Sequence, residues 1–279
     1  MTTANTPSDA VYVLGRSSEE TRALIRRGQL QESVTRRFLQ DAGLAPDMKV
    51  LDVGTGAGDV AILAAELVGP EGRVIGIDHN PAILEVARVR ASDSGLGHLT
   101  FVAGDLRQMD LGDDFDAVIG RHVLLYTGDP VAAVRTLVDQ LRPGGLVAFQ
   151  EYDTLAESLV YPPSPLYDRW LNWMRQVFTR GGVDVMMGRR LFQVFLDAGL
   201  AEPKLRLEAT IGGGPEYAFY AVCARALEAT LPKLLEYGLA TAEEVDISTF
   251  EQRLRAEIVG QWGIVAHHPI IGAWANKAP

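Results

Sequence analysis

Residues 50–59 read VLDVGTGAGD, and this stretch decides how the chain folds. A short apolar run meets an acid, Asp52, and the glycines Gly54, Gly56 and Gly58 follow at alternate positions before a second apolar stretch. This order is typical of a buried strand, a tight turn and the start of a helix. Glycines let a turn adopt positive φ and let a ligand approach the main chain, and the first N–H groups of a helix have no partners within it. The stretch therefore predicts a ligand-binding turn.

The composition is that of a globular chain without a basic excess. It has 279 residues, 47% hydrophobic and 22% charged, and a formal net charge of −10. Nucleic-acid binders usually show a basic surface, so no nucleic-acid partner is predicted. The single cysteine, Cys223, fits a reducing compartment. No apolar run approaches the roughly 18 residues of a membrane span, and the N-terminus lacks a signal-peptide core. We expect a cytoplasmic protein with no membrane partner.

Segments typical of strands and helices alternate through the middle of the chain. The predicted strands are 48–53, 73–78, 99–103, 115–120 and 146–150. Helices are predicted at 59–68, from Asn80-Pro81 to about residue 94, and after Asp129-Pro130, and each of these two dipeptides pairs a capping residue with proline at the first helical position. This alternation predicts a parallel sheet covered by helices on both faces. Such a sheet binds ligands beyond the carboxyl ends of its strands.

The flanking segments predict more helices and two more strands. A capping box at Ser17 and Glu20 opens a helix that should end near Gly28, and a second helix should run from Leu30 to Gly43. Residues 152–165 are predicted as a loop, 166–179, 188–198, 216–236 and 242–259 as helices, and 204–211 and 270–276 as strands. We expect one domain over 1–279, with a helical cap at 1–44, a ligand-binding core at 45–155, lid insertions at 156–200 and 215–260, and the remaining core strands in 201–214 and 261–279.

Details of the turn indicate which nucleotide it binds. Asp59 stands where the dinucleotide fingerprint requires its third glycine, and the Gly-Lys-Ser/Thr of a phosphate loop is missing. Asp52 and Asp59 would repel a pyrophosphate but suit a cation. Asp78 ends the second strand and can accept from both ribose hydroxyls, and Asp105, after the third strand, can accept from an adenine amino group. These acids predict a cationic, phosphate-free nucleoside such as S-adenosylmethionine.

The chain resembles the class I S-adenosylmethionine-dependent methyltransferases, close to the small-molecule branch of bacterial biosynthesis. The motifs LDVGTGAG, GIDHNP, GDL, FDAVIGRHVLLYTGDP and LRPGGLVAFQE support this resemblance over roughly residues 45–155. It implies an α/β fold with a Rossmann-like, doubly wound sheet of seven strands. Most strands would be parallel and the last, 270–276, antiparallel, with N-terminal and inserted helices forming a lid. The implied cofactor is S-adenosyl-L-methionine.

The resemblance also implies roles for single residues. Gly54 and Gly56 would line the methionine part, Asp78 would hold the ribose, and Asp105 and Leu106 would bracket the adenine. The N-terminal candidates for closing over the cofactor are chosen by position alone. The full predicted contact set is Tyr12, Gln29, Asp52, Gly54, Thr55, Gly56, Asp78, His79, Asn80, Gly104, Asp105, Leu106, Arg121 and His122.

Methyl transfer needs the acceptor atom and the methyl group in line, and a base when the acceptor must lose a proton. The candidate catalytic residues, all expected at the same edge of the sheet, are His122, Glu151, His267 and His268. Each has a structural alternative. His122 could pack beside the cofactor, and Glu151 and its neighbour Asp153 could be solvated acids or partners of an arginine. His267 and His268 could be surface histidines. No helical His-x-x-x-His or Cys/His cluster occurs, so no metal is predicted.

The region after the fifth strand indicates the acceptor. Its aromatic residues predict a lid over a flat, hydrophobic small molecule, together with core packing. They are Tyr152, Tyr161, Tyr167, Trp170 and Trp173. The leading hypothesis is methylation of a small hydrophobic or aromatic metabolite, with oxygen favoured over nitrogen or carbon; a homodimer is left open.

Four other functions stay open at this point. The first is an S-adenosylmethionine-binding enzyme of the same fold that performs a cyclisation or rearrangement without methyl transfer. Methylation of nucleic acid or protein is disfavoured by the acidic charge and by the sequence Arg121-His122-Val123-Leu124 after the fourth strand. The third is a non-catalytic binding module, and the intact turn counts against it. The fourth is a nicotinamide dehydrogenase, and Asp59 counts against it because it replaces the third glycine.

Overall fold

A computed structural model describes residues 18–105, 112, 114–154 and 159–279. Its strands are β1 (Lys49–Val53), β2 (Arg73–Asp78), β3 (Leu99–Ala103), β4 (Phe115–Arg121), β5 (Leu141–Tyr152), β6 (Val160–Tyr161), β7 (Lys204–Glu208), β8 (Ile211–Gly213), β9 (Ile264–Ala266) and β10 (Ile270–Asn276). Its α-helices are α1 (Ser18–Ala42), α2 (Asp59–Val68), α3 (Pro81–Asp93), α4 (Pro130–Asp139), α5 (Pro165–Arg180), α6 (Met187–Asp197), α7 (Phe219–Glu236), α8 (Ala242–Val245) and α9 (Ile247–Gly260).

Seven strands form the main sheet in the order β3-β2-β1-β4-β5-β10-β7. β10 runs antiparallel to both of its neighbours, β5 and β7, and the pairs from β3 through to β5 are parallel. The predicted seven-stranded sheet with an antiparallel last strand is confirmed. From β1 the chain adds strands first on one side and then on the other, and this reversal opens a crevice at the carboxyl ends of β1 and β4.

Alternate residues of each strand face opposite layers of helices. In β1, Val50 packs with α1, α2 and α3, whereas Leu51 packs with α4 and α6. This double burial explains why the central strands are continuous apolar runs instead of alternating polar and apolar residues.

A third apolar cluster joins α5, α7 and α9 and lies apart from the two faces of the sheet. Trp170 of α5 donates its indole N–H to the carbonyl oxygen of Cys223 in α7 at 3.0 Å, and Phe250 and Leu254 of α9 are buried in the same cluster. A small sheet in the order β6-β9-β8 flanks these helices. We refer to α5, α7 and α9 as the lid helices, and the small sheet lies beside them.

The N-terminal prediction of two helices is wrong, because α1 runs through Gly28 without a break. A glycine can end a helix, but here it is needed for packing. A Cβ at Gly28 would lie 2.1 Å from Oδ2 of Asp59 in α2. Close contact between two helices, and not chain termination, explains this glycine. Ser17 of the predicted capping box lies outside the described residues.

Three further boundaries differ from the predictions. β5 extends from Leu141 to Tyr152 instead of covering only 146–150, and its pairing with β4 shifts register near Phe115 to take up the Pro-Gly-Gly turn. The predicted strand 204–211 is divided between β7 and β8, which belong to different sheets. The predicted helix 242–259 is interrupted at Asp246, where φ is 41°. The capping box of Thr241 and Glu244 is present.

Candidate active site

The turn between β1 and α2 is held in the left-handed region by its glycines. Gly54, Gly56 and Gly58 have φ of 61, 53 and 82°, a conformation that costs other residues about 1–2 kcal/mol each. A Cβ at Gly54 would lie 2.6 Å from Cγ2 of Val123. The turn therefore packs tightly against the segment after β4 and presents its main chain to the cavity beside it.

Asp52 lies beneath the turn and is completely buried. The hydroxyl of Thr55 donates to its Oδ2 at 2.6 Å. Burial raises the pKa of Asp52 to about 7, because the charged form loses its hydration. Asp52 thus connects the strand to the turn, and both residues border the cavity.

Asp78 at the end of β2 is bound to the same turn. The N–H of Gly56 donates to its Oδ2 at 3.0 Å, and the N–H of Asn80 donates to its Oδ1 at 2.9 Å. A carboxylate has about four lone-pair positions, so Asp78 can still accept hydrogen bonds from the hydroxyl groups of a ligand. His79 is largely exposed, with its Nδ1 3.4 Å from Oδ1 of Asp78.

Contrary to the sequence-based expectation, Asp59 does not add an isolated negative charge beside the turn. Its Oδ1 lies 2.7 Å from Nη1 of Arg90, and its Oδ2 lies 3.7 Å from Nη2 of Arg121. Arg121 also donates to Oγ1 of Thr35 in α1 at 2.9 Å. Both arginines lie far from Asp59 in the sequence. Repulsion of a pyrophosphate by Asp59 therefore no longer supports the choice of nucleotide, and Asp78 is the stronger indicator.

Most of the other predicted cofactor residues border this cavity. They are His79, Asn80, Gly104, Asp105, Arg121 and His122. Tyr12 and Leu106 lie outside the described residues. Gln29 is exposed on α1 and does not line the cavity, whereas Gln31, two positions later, is buried and does. Splitting α1 at Gly28 hid the helical face that would have identified Gln31.

Two stacked ring pairs share Tyr152 in the lining of the cavity. His122 and Tyr152 are nearly parallel, with centroids 3.8 Å apart and an interplanar angle of 10°. Tyr152 also stacks on His267, with centroids 5.7 Å apart. His268 stacks instead on Trp170 of α5 at 5.5 Å. The structure thus brings together three of the predicted catalytic residues, and Tyr152 joins them.

The two histidines before β10 are fixed by the small sheet. β9 ends at Ala266, and the N–H of His267 donates to the carbonyl oxygen of Thr210 at 2.8 Å. Because β10 is antiparallel, its start lies at the same edge of the main sheet as the carboxyl ends of the parallel strands. His267 and His268 therefore face the crevice, as the sequence analysis expects.

Glu151 is not placed to act as a base. It is fully buried below the segment after β4 and does not line the cavity. Its Oε1 accepts the N–H groups of Val123 at 2.9 Å and Leu124 at 2.7 Å, at the start of the 3-10 helix Leu124–Tyr126. Burial raises the pKa of Glu151 to about 8. Asp153, the other acid considered, forms a two-point ion pair with Arg189.

The raised pKa of Glu151 predicts a pH-dependent cost in stability. The unfolded side chain ionises near pH 4.5 and the folded one near 8, so the stability that Glu151 contributes falls as the pH rises between these values. The difference approaches about 5 kcal/mol at most. Glu151→Gln keeps an oxygen for both N–H groups and cannot ionise. We expect its free energy of unfolding, relative to the parent protein, to rise from pH 5 to pH 8 in urea titrations.

Asp153→Asn serves as the control, because that neighbouring carboxylate is also buried but is paired with Arg189. A Glu151→Gln difference that stays constant from pH 5 to pH 8 would show that Glu151 ionises normally in the folded protein.

The cavity has a volume of about 870 Å³ and two parts of different character. The first contains the glycine turn and the acids of β1 and β2. The second is lined largely by apolar side chains of α5 and α7, among them Trp170, Leu171, Met174, Phe219 and Val222. Ligand cavities of about 300–1,000 Å³ are usual for small molecules, so the volume suits a nucleoside cofactor together with a small acceptor.

The aromatic residues predicted for the lid have different positions. Tyr152 and Trp170 line the cavity. Tyr167 and Trp173 are buried in the cluster of the lid helices, and Tyr161 is exposed on β6. Two of the five therefore line the cavity, two pack in the cluster, and Tyr161 does neither.

Two features are missing from the described residues. No helix in that part of the chain is long and apolar enough to cross a membrane. Nor do those residues contain a group of three or more His, Cys, Asp or Glu side chains arranged to hold a metal ion.

Comparison with known proteins assigns the family. The family described as "Methyltransferase domain" matches residues 44–183, which is half of the chain. This range contains the glycine turn, Asp78 and the stacked pair of His122 and Tyr152. The chain belongs to this family of S-adenosylmethionine-dependent methyltransferases.

Curated relatives match part of the chain. An uncharacterized 37.1 kDa protein in transposon TN4556 of Streptomyces fradiae is 33% identical over 57% of this chain and 45% of its own length. The ubiquinone/menaquinone biosynthesis C-methyltransferase UbiE of Vibrio campbellii is 31% identical over 48% of this chain and 52% of its own length. The chain thus spans about half the length of the curated relatives it matches.

Solved structures share the fold. A SAM-dependent methyltransferase from Aquifex aeolicus superposes with a TM-score of 0.55 at 15% sequence identity, over 94% of this chain and 99% of that one. The arrangement of strands and helices is therefore common to both chains despite their divergent sequences.

Proposed function

We propose that this chain transfers the methyl group of S-adenosylmethionine to a small, largely apolar acceptor, with oxygen favoured over nitrogen or carbon as the receiving atom. One observation supports this most directly: a single cavity is lined by the glycine turn and Asp78, by the apolar side chains of α5 and α7, and by the stacked rings of His122, Tyr152 and His267. A cytoplasmic location belongs to the same proposal.

The residues present fit S-adenosylmethionine. Asp78 offers carboxylate oxygens to ribose hydroxyls, and the main chain of Gly54 and Gly56 is open to the methionine part. Asp105 follows β3 and lines the cavity where an adenine amino group needs an acceptor. Arg121 is paired with Asp59, so its positive charge is balanced in a site that must accept a sulfonium.

The chain's own part in the reaction is to position the acceptor, to exclude water and to remove the acceptor's proton. When bound, S-adenosylmethionine supplies a methyl group already activated by its sulfonium. Trp170 and the other apolar residues of α5 and α7 cover the acceptor compartment, and enclosure of this kind keeps water from competing. His267 is the proposed base: its imidazole takes the acceptor's hydroxyl proton as the new oxygen–carbon bond forms. The available imidazoles are the reason to favour oxygen.

Asp78→Ala is expected to weaken S-adenosylmethionine binding by at least about tenfold in calorimetry, because the ribose hydroxyls lose a charged acceptor worth about 1.5–3 kcal/mol. Asp93→Ala, at the end of α3 and outside the cavity, is the matched control. Circular dichroism checks the fold of both variants. An affinity that Asp78→Ala leaves unchanged would remove the ribose assignment.

Product analysis tests the proposed function itself. The purified chain is examined by mass spectrometry for bound cofactor and then incubated with S-adenosylmethionine and a panel of phenolic, polyketide-like and quinone acceptors. A product heavier by one methylene unit, with equimolar S-adenosylhomocysteine, is expected. Nuclear magnetic resonance of the product then identifies the methylated atom. Conversion of an acceptor without change in mass would instead indicate cyclisation or rearrangement.

A further inference from the structure

Gln31 is a buried polar side chain that the sequence analysis does not assign. It lies on α1 with 2% of its surface exposed, and a buried amide is expected to have hydrogen-bond partners. Its Nε2 donates to the hydroxyl of Tyr152. Its Oε1 lies 3.3 Å from Nε2 of His122. One amide therefore bridges two of the stacked rings.

This bridge has a chemical consequence for His122. An amide oxygen can only accept hydrogen bonds, so this contact is a hydrogen bond when His122 carries its hydrogen on Nε2. In a neutral imidazole the lone pair is then on Nδ1. The bridge also fixes the rotation of both rings, which agrees with their small interplanar angle of 10°.

The helix that provides Gln31 is docked at two other points on the same face. Gly28 lies three residues earlier and packs against Asp59, and Thr35 lies four residues later and accepts from Arg121. Residues spaced by three and four lie on one side of a helix. Gln31 is thus held between two contacts that reach the cofactor side of the cavity.

We propose that Gln31 is a positioning residue for methyl transfer, which fixes the tautomer of His122 and the orientation of Tyr152 where the two compartments of the cavity meet. The proposal rests on the proposed function. Gln31 acts through these two rings, and the N-terminal helix thereby becomes part of the active site.

The test uses the full chain and three variants. Gln31→Leu removes the bridge, and Gln31→Glu keeps an oxygen facing His122. Gln40→Leu changes an exposed glutamine of the same helix and is the control. Long-range ¹H–¹⁵N spectra report the ring tautomer, with the signal assigned through His122→Gln. Calorimetry with S-adenosylhomocysteine and kinetics with an acceptor found in the product screen complete the set.

We expect the parent protein, Gln31→Glu and Gln40→Leu to show His122 with its hydrogen on Nε2, and Gln31→Leu to show a mixture of tautomers. For Gln31→Leu we expect kcat to fall by about 10- to 100-fold, KM to change less, and S-adenosylhomocysteine affinity to stay within about threefold of the parent. Gln31→Glu should recover most of the lost kcat.

A parent protein with the hydrogen of His122 on Nδ1 overturns the proposal, as do unchanged tautomers in Gln31→Leu. If Gln31→Leu fails to fold, the spectra of the parent and of Gln31→Glu still decide it. These spectra need no acceptor. Absence of methyl transfer would therefore count against the proposed function, whereas a wrong tautomer would count against Gln31.

Discussion

Replacing Gly54 with alanine is expected to weaken S-adenosylhomocysteine binding by about 100-fold or more. The new Cβ would meet Cγ2 of Val123 at 2.6 Å while φ stays at 61°. Val123 cannot retreat easily, because its N–H is bound to buried Glu151. The substituted turn is expected to relax away from Val123 and out of the left-handed conformation, which costs about 1–2 kcal/mol. Binding must reverse both changes, so the loss reaches the roughly 2.7 kcal/mol of a 100-fold weaker affinity.

Two controls separate this effect from a general loss of stability. Gly95 also has positive φ, at 68°, but nothing lies within 4 Å of an added Cβ. Gly95→Ala should therefore lower stability without changing affinity. Adding Val123→Ala to Gly54→Ala should restore part of the binding measured by calorimetry. Normal affinity in Gly54→Ala would mean that the turn does not contact the cofactor.

Loss of the proposed base is the second large effect. His267→Ala is expected to lower kcat by about 100- to 10,000-fold, the usual contribution of a positioned base. S-adenosylhomocysteine affinity should stay within about threefold, because His267 stacks on Tyr152 and lies against the tilted ring of Phe219, and it has no ring contact with the glycine turn. Steady-state kinetics with the acceptor from the product screen provides the measurement.

His98→Ala is the matched control. His98 is a partly buried histidine bound to the carbonyl oxygen of Ala65, away from the cavity. Its removal should leave kcat unchanged. A normal kcat in His267→Ala would mean that His122 or His268 removes the acceptor's proton, or that the acceptor needs no base.

The β/α core could be predicted from the sequence because its signals are local. Apolar runs of five to seven residues, the glycines of the turn and proline at two helix starts each act within a few positions. The small sheet could not be predicted in this way. β6 and β8 have only two and three residues, and their partner β9 lies more than 50 residues away in sequence.

The site was predictable as far as strand ends determine it. Asp52, Asp78 and His122 follow from the rule that ligands bind at those ends. The role of Glu151 could not be predicted in this way. The strand β5 continues to Tyr152, and successive residues of a strand point to opposite faces. That single alternation turns Glu151 toward the buried N–H groups and Tyr152 toward the cavity. The ion pairs of Asp59 depend on arginines that only the folded chain brings close.

The small sheet has a consequence for how such an enzyme can change its substrate. Strand β9 and Thr210 hold the backbone of His267 from outside the lid helices, whereas Met174 and Val222, which line the apolar part of the cavity, belong to helices α5 and α7. Changes at those two positions therefore leave the hydrogen bond from His267 to Thr210 in place. Libraries of variants restricted to the two positions can sample new acceptors while the proposed base keeps its place, and divergence in nature has the same route open to it.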